Sequence, residues 1–248
     1  MNLSSVSRRS LAITVPIAIA AAGLFAQAVA LFAQGDRKPI FVTPEELQVA
    51  SILPSPPAAD SKQNASDLAE LHRLQDARTP AQIERAKADD AEQDIFIFKN
   101  VLGDKFTKES LPLTALLSAH VQSDEGFILN PAKNLFHRPR PYSVDATLQA
   151  VCKVNPGMTD YSYPSGHAAS GYLEAFVAVL LVPEKRDAIL ARADDYAHNR
   201  LICGVHYPTD LAASRETAYA MIGIMLNKAQ FQKELEAAKA ETRRALGI

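Results

Sequence analysis

Apolar positions along this chain fall into clusters separated by capping and turn residues, and the clusters read as helices. Ser66 can cap a helix running to about Ala77, and Thr79-Pro80 opens the next with proline near its first turn. The polar stretch to Gln93 gives way to Ile95, Phe96, Ile97 and Phe98, so this second helix should become buried as it proceeds. A third is expected from Thr107 to about Glu125, with Leu111, Leu113, Leu116 and Leu117 as core candidates. Residues 130–156 hold four prolines and read as loop with one or two short helical turns. Three more helices follow: Gly166 to Leu181, Glu184 to about Cys203, and Thr209 to about Ala245, broken near Asn227. Lys233, Glu234, Glu236, Lys239, Glu241, Arg243 and Arg244 make the last of these a solvated surface. No strand pattern competes, so the fold class predicted is all-α, a helical bundle.

Before Ser66 the pattern changes twice. Arg8-Arg9 precede an apolar run from Leu11 to about Ala33, and small-x-small triplets stand at Ala26-Gln27-Ala28 and Ala28-Val29-Ala30. Basic start, apolar middle and small residues at the end describe an export signal over residues 1–30. The run is also nearly long enough to span a bilayer, so an uncleaved anchor stays open, and so does the export route. Residues 31–65 are rich in proline and small residues, including Leu53-Pro54-Ser55-Pro56-Pro57, and read as an extended arm. Residues 66–248 would then form the helical domain.

Composition narrows the picture further. The 248 residues suit one domain plus extensions, with a net charge of -2 and no basic stripe with interleaved aromatics, so nucleic acid is not an expected partner. The segment Leu173 to Val182 is apolar but short and contains Glu174, which makes it a buried helix rather than a membrane span. The exported protein is expected in the periplasm or outside the cell. There Cys152 and Cys203 can be either a disulfide or two buried thiols.

The chemistry lies in three short blocks. Lys133 is followed after six residues by Arg140-Pro141; then comes Pro164-Ser165-Gly166-His167; then Arg200, His206 and Asp210. Ser165-Gly166 sits where a loop enters a helix, a place whose open amides and dipole attract anions. His167 lies in the first turn, able to donate a proton. His206 precedes a second helix entry at Pro208, and Asp210 can fold back beneath it. A carboxylate on one ring nitrogen fixes the tautomer and leaves the other nitrogen to attack. A structural His–Asp pair and a metal site are the competing readings, since His and Asp are ligand types. Three cations around the site suit phosphate better than a metal ion.

These blocks resemble the signature of the type 2 phosphatidic acid phosphatase superfamily: Lys-x6-Arg-Pro, Pro-Ser-Gly-His and Ser-Arg-x5-His-x3-Asp. The one departure is Asn199 where serine is usual. Within that superfamily the chain looks most like bacterial class A acid phosphatases, through Ile202-Cys203-Gly204-Val205-His206, Tyr163, Ala132-Lys133 and the proline-rich segment at Leu53. Asp124-Glu125-Gly126 is close to an acidic pair and glycine usual in that branch. The resemblance implies the compact helical bundle shared with vanadium haloperoxidases. It makes His206 the nucleophile, Asp210 its orienting partner, and His167 the acid and base. Lys133, Arg140, Arg200, Ser165 and Gly166 become the phosphate-binding set. It implies phosphomonoester substrates, inorganic phosphate as product, sensitivity to vanadate and no cofactor or metal, and it is compatible with a homo-oligomer. A membrane-anchored lipid phosphate phosphatase and a haloperoxidase are the neighbouring alternatives, and an anion-binding protein without turnover is the more distant one. His72, His120 and His198 receive no role, while His137, near the phosphate loop, is a candidate for touching substrate.

Overall fold

The helices pack around one almost wholly buried member, and that burial explains the rest of the architecture. The computed structural model describes residues 38–154 and 161–248, so the export segment at residues 1–30 lies outside the described residues. Among the described residues there are helices and no strand. In chain order they are α1 (Val49–Ile52), α2 (Lys62–Ala77), α3 (Pro80–Ala91), a 3-10 turn (Ile95–Phe98), α4 (Lys99–Leu102), α5 (Pro112–Phe136) and α6 (Pro141–Val144). There follow α7 (Gly166–Leu181), a second 3-10 turn (Pro183–Lys185), α8 (Arg186–Ile202), α9 (Pro208–Met225) and α10 (Ala229–Leu246).

Helix α7 is the hub. It packs against α5, α8, α9 and α10, and Ala168, Ala169, Leu173, Ala175, Val177, Ala178 and Leu181 on it are fully buried. Ser165 caps it by accepting the Ala168 amide. Small side chains let neighbours come close: a Cβ on Gly171 would lie 2.5 Å from the Tyr196 ring of α8. A substitution there must displace that ring.

Side-chain caps start α2, α3 and α7. Thr79 and Gln82 form a reciprocal box at the start of α3, with Pro80 in its first turn. The helix read from Ser66 begins earlier, at Lys62, because Ser61 caps it by accepting the Asn64 amide. Helix α3 stops at Ala91, and the apolar Ile95–Phe98 segment is a separate, buried 3-10 turn.

Helix α5 departs most from the sequence reading. It starts at Pro112 and continues through Pro131 to Phe136, so Lys133 stands on a helix rather than in a loop. Proline at 131 gives up one helical bond, but Ile128, Leu129 and Ala132 around it are buried, and their packing outweighs that loss. The buried stripe is Thr114, Leu117, Ser118, Val121, Asp124 and Ile128. Leu113 and Leu116 fall off this stripe and are exposed, whereas Leu111 and Leu117 are buried.

The segment before α2 lies on the bundle through Phe41, Val42, Leu47, Val49 and Leu53, all buried. Asp124 of α5 holds it: its carboxylate accepts the amides of Ile40, Phe41 and Val42 at 2.6, 2.7 and 2.8 Å. The Phe41 ring meets Phe231 of α10 edge-on at 5.3 Å. Cys152 and Cys203 form a disulfide, which decides between the two readings of that pair.

Candidate active site

Five segments converge at one end of α7: its own N-terminus, the last turn of α5 with the loop to Arg140, the end of α8, the entry to α9, and the end of α3. His206 is buried in the turn before α9. Its Nδ1 lies 3.2 Å from Asp210 Oδ2, and its Nε2 lies 2.8 Å from an Arg140 guanidinium nitrogen. Arginine only donates, so Nε2 must carry the lone pair and Nδ1–H must donate to Asp210. The ring is therefore in the tautomer that leaves Nε2 nucleophilic. Burial first, then the charges of Arg140, Lys133 and Arg200, hold the imidazole well below its ordinary pKa and keep it neutral.

Asp210 is held in its own network. Its Oδ2 also accepts the Tyr207 amide at 2.9 Å, closing the first turn of α9. Its Oδ1 accepts from Arg138 at 2.7 Å. Arg138 in turn donates to Thr209 at 2.7 Å and to Asn64 and Asp67 of α2, each at 3.1 Å. The guanidinium sits 3.7 Å over the Tyr207 ring. Burial pushes the Asp210 carboxyl up to about 6 against the pull of Arg138.

His167 lies in the first turn of α7, and its charge acts on His206. Its Nε2 is 2.9 Å from the Gln93 side-chain nitrogen, 3.2 Å from the Asp90 carbonyl and 3.7 Å from an Asp90 carboxylate oxygen. Burial and then Arg200 lower it to about 4. Asp90 also accepts from Arg200 at 2.6 Å. Burial pushes the Asp90 carboxyl up, but Arg200 outweighs it and the group ends below its usual range. Arg200 is itself buried, and its Nε–H finds no acceptor among the described residues. A cavity of about 260 Å³ opens between these groups, lined by His167, Arg140, Arg200, Asp90, Gln93, Tyr142, Val205 and Lys153.

Of the expected residues, His167, Arg140 and Arg200 line this cavity, whereas His206, Asp210, Lys133, Ser165 and Gly166 are not part of its lining. The Lys133 ammonium donates to the Tyr161 carbonyl at 2.8 Å and acts on His206 through its charge. The Ser165 hydroxyl oxygen caps α7. Gly166 begins that helix, and a Cβ there would stand 3.3 Å from Glu125 Oε1. Burial, opposed by Lys133, pushes the Glu125 carboxyl up to about 7. Asn199, the departure from the family pattern, donates to Asp89 at 2.7 Å and so helps fix the end of α8. His137 is the left-handed C-cap of α5, with its ring edge-on to Tyr161 at 4.6 Å. His72 and His120 pair with Asp145 and Glu234.

Asp90, Gln93, Arg138 and Asp67 were not found from sequence. Asp90 and Gln93 lie in a polar helix end with nothing to set them apart. Arg138 was visible only as part of a basic proline loop.

Two histidines, a carboxylate and three cations gathered in this way have the chemistry to hold a phosphoryl group. Residues 113–234 match the model of the PAP2 superfamily. The chain is 31% identical over 146 residues to a non-specific acid phosphatase of Providencia stuartii, covering 58% of this chain and 59% of that protein. It is 33% identical over 138 residues to an acid phosphatase of Zymomonas mobilis, covering 54% of this chain and 52% of that one. The chain thus spans less than two thirds of the length of these relatives. Among solved structures, a transmembrane PAP2 type phosphatidylglycerolphosphate phosphatase from Bacillus subtilis matches with a TM-score of 0.50 at 15% identity, over 72% of this chain and 89% of that one. That likeness is one of fold. Among the described residues, no helix is long and apolar enough to cross a membrane.

Proposed function

We propose that this protein is an exported acid phosphatase that hydrolyses phosphomonoesters through a phosphohistidine at His206. One observation carries the reading: His206 presents an unprotonated, buried Nε2 with its other nitrogen tied to Asp210. A structural histidine gains nothing from a row of cations that suppress its protonation, whereas a nucleophile for an anionic phosphoryl group needs both.

In this scheme the phosphoryl oxygens take over the Arg140 guanidinium and the open Nε–H of Arg200, with Lys133 adding charge. Nε2 attacks phosphorus and the bond to the leaving oxygen breaks as His167 gives that oxygen its proton. Asp210 stabilises the charge left on the His206 ring. Water, deprotonated by His167, then attacks phosphorus; the P–N bond breaks and inorganic phosphate leaves. His167 titrates low in the free protein because burial and Arg200 disfavour its charged form. A bound phosphoryl dianion cancels part of that positive field and raises it. The alkaline side of the profile should therefore fall as the proton is lost from His167. The acid side should fall as Asp210 is protonated near about 6. A mildly acidic optimum follows. Export rests on the sequence of residues 1–30, and the relatives' names support the acid phosphatase activity.

The test is hydrolysis of p-nitrophenyl phosphate by wild type, His206→Ala and His167→Asn across pH, with chelator and with vanadate. Wild type should be active in chelator and inhibited by vanadate. His206→Ala should lose on the order of 1000-fold or more in kcat, and acid quench should trap an acid-labile phosphoenzyme only where His206 is present. Full activity in His206→Ala, or a rate climbing steadily to alkaline pH, would sink the mechanism.

A further inference from the structure

The phosphoryl group needs the cations around His206, and the cavity is also lined by one that is not among them. Lys133, Arg140 and Arg200 are the three whose charge depresses His206. Lys153 lines the same cavity beside His167, the group that would protonate the leaving oxygen. Its backbone is fixed from two sides. The neighbouring Cys152 is bonded to Cys203, and the Val151 amide donates to the Cys203 carbonyl at 2.9 Å. The Lys153 amide donates to Asp90 Oδ2 at 3.1 Å, the carboxylate that also contacts Arg200 and His167. The side chain is exposed, and among the described residues no hydrogen bond or ion pair holds its ammonium. Asp90, the acid lining this wall, is committed to Arg200. A lysine whose backbone is pinned at a cavity wall, and whose ammonium has no partner among the described residues, is placed for an anion arriving with the ligand.

Resting on the phosphatase reading, we propose that Lys153 is a second anion subsite on the leaving-group side. The preferred substrates are then phosphomonoesters whose alcohol carries another negative group, a carboxylate or a second phosphate, within a few bonds of the ester oxygen. The direction follows from the layout. Phosphorus must face Nε2 of His206, so the leaving oxygen faces His167, and what is attached to that oxygen runs along the wall of Gln93, Tyr142 and Lys153. The second anion is held equally in ground and transition states, so its effect falls on KM rather than on kcat.

The experiment compares substrate pairs that differ in one anionic group: 2-phosphoglycerate against glycerol 2-phosphate for the carboxylate, and propane-1,3-diol bisphosphate against 3-hydroxypropyl phosphate for the phosphate. At low salt, wild type should favour the doubly anionic member of at least one pair by about tenfold in kcat/KM, and the ratio should shrink as salt rises. Which pair shows it separates carboxylate from phosphate. Lys153→Ala should bring the ratio near one through KM, Lys153→Glu should invert it, and Lys153→Arg should retain it. A ratio untouched by Lys153→Ala, or an equal fall for both members of each pair, overturns the subsite while leaving the phosphatase intact. A wild type that hydrolyses none of the four overturns the phosphatase reading and the subsite with it.

Discussion

At Asp210 the two carboxylate oxygens have separate duties, and the partner on each side can be removed on its own. Oδ2 receives His206 and the Tyr207 amide; Oδ1 receives Arg138, which also lies against Asp67. Arg138 is thus the buried cation between two buried carboxylates. Replacing Arg138 with Met strands both, a change that costs about 3–5 kcal/mol when one partner of a buried pair is lost. Denaturant titration should show that loss. In the fraction that stays folded, Asp210 loses the charge that pulls its pKa down, so its carboxyl rises further and is protonated at higher pH. The acid limb of kcat/KM should then move upward by about one unit or more. An unmoved limb would mean that Arg138 supports the fold alone. The cluster of His167, Arg140, Arg200, His206 and Asp210 was legible in sequence because the three blocks carry a joint spacing that resembles the superfamily signature, with His167, His206 and Asp210 at helix entries. Arg138 and Asp90 were not, because the partners of Arg138 lie on α2 and α9 and those of Asp90 on α7 and α8, and no local pattern announces a contact made between distant segments.

Helix boundaries were legible wherever a side chain ends or begins the helix by its own chemistry. Ser165 and Pro208 do so for α7 and α9, and both starts were read within a residue. They were misread where packing overrides local preference, as in α5, where burial carries the helix past Pro131. The arm is another case of packing that composition does not announce. Its prolines predict extension, but what fixes it is Asp124, which accepts three successive arm amides and is fully buried. A second tie runs to the loop before α7, where the Tyr163 hydroxyl donates to the Pro54 carbonyl at 2.8 Å. Asp124→Ala leaves three amides without their acceptor, at about 1–3 kcal/mol for each one that stays buried. The expected result is release of the arm: proteolytic nicking within residues 39–61 under native conditions, with the helices still folded by circular dichroism. An arm as resistant as in wild type would show that Phe41, Val42 and Leu53 hold it without Asp124.

Across the whole molecule, the helices bury a continuous core that should keep the bundle folded without its covalent link, whereas the cavity wall leans on that link. The disulfide joins positions 51 residues apart. By chain entropy, closing a loop of that size is worth about 4 kcal/mol, a sizeable share of the roughly 5–15 kcal/mol typical of a domain. Cys203 lies between Arg200 and His206, and Cys152 precedes Lys153, so the bridge binds one wall of the cavity to the segment bearing the nucleophile. Replacing both cysteines with serine should therefore give a protein that is still helical at room temperature, with its unfolding midpoint lowered by an amount equivalent to a few kcal/mol. The loss of activity should be larger than the loss of helix, because the bundle holds the backbone while the loop carrying Lys153 is free to move. The double variant would overturn this view if it kept the wild-type midpoint. It would also do so if its helix content and activity collapsed together, since the bridge would then be part of the fold and not a fastening of the cavity wall.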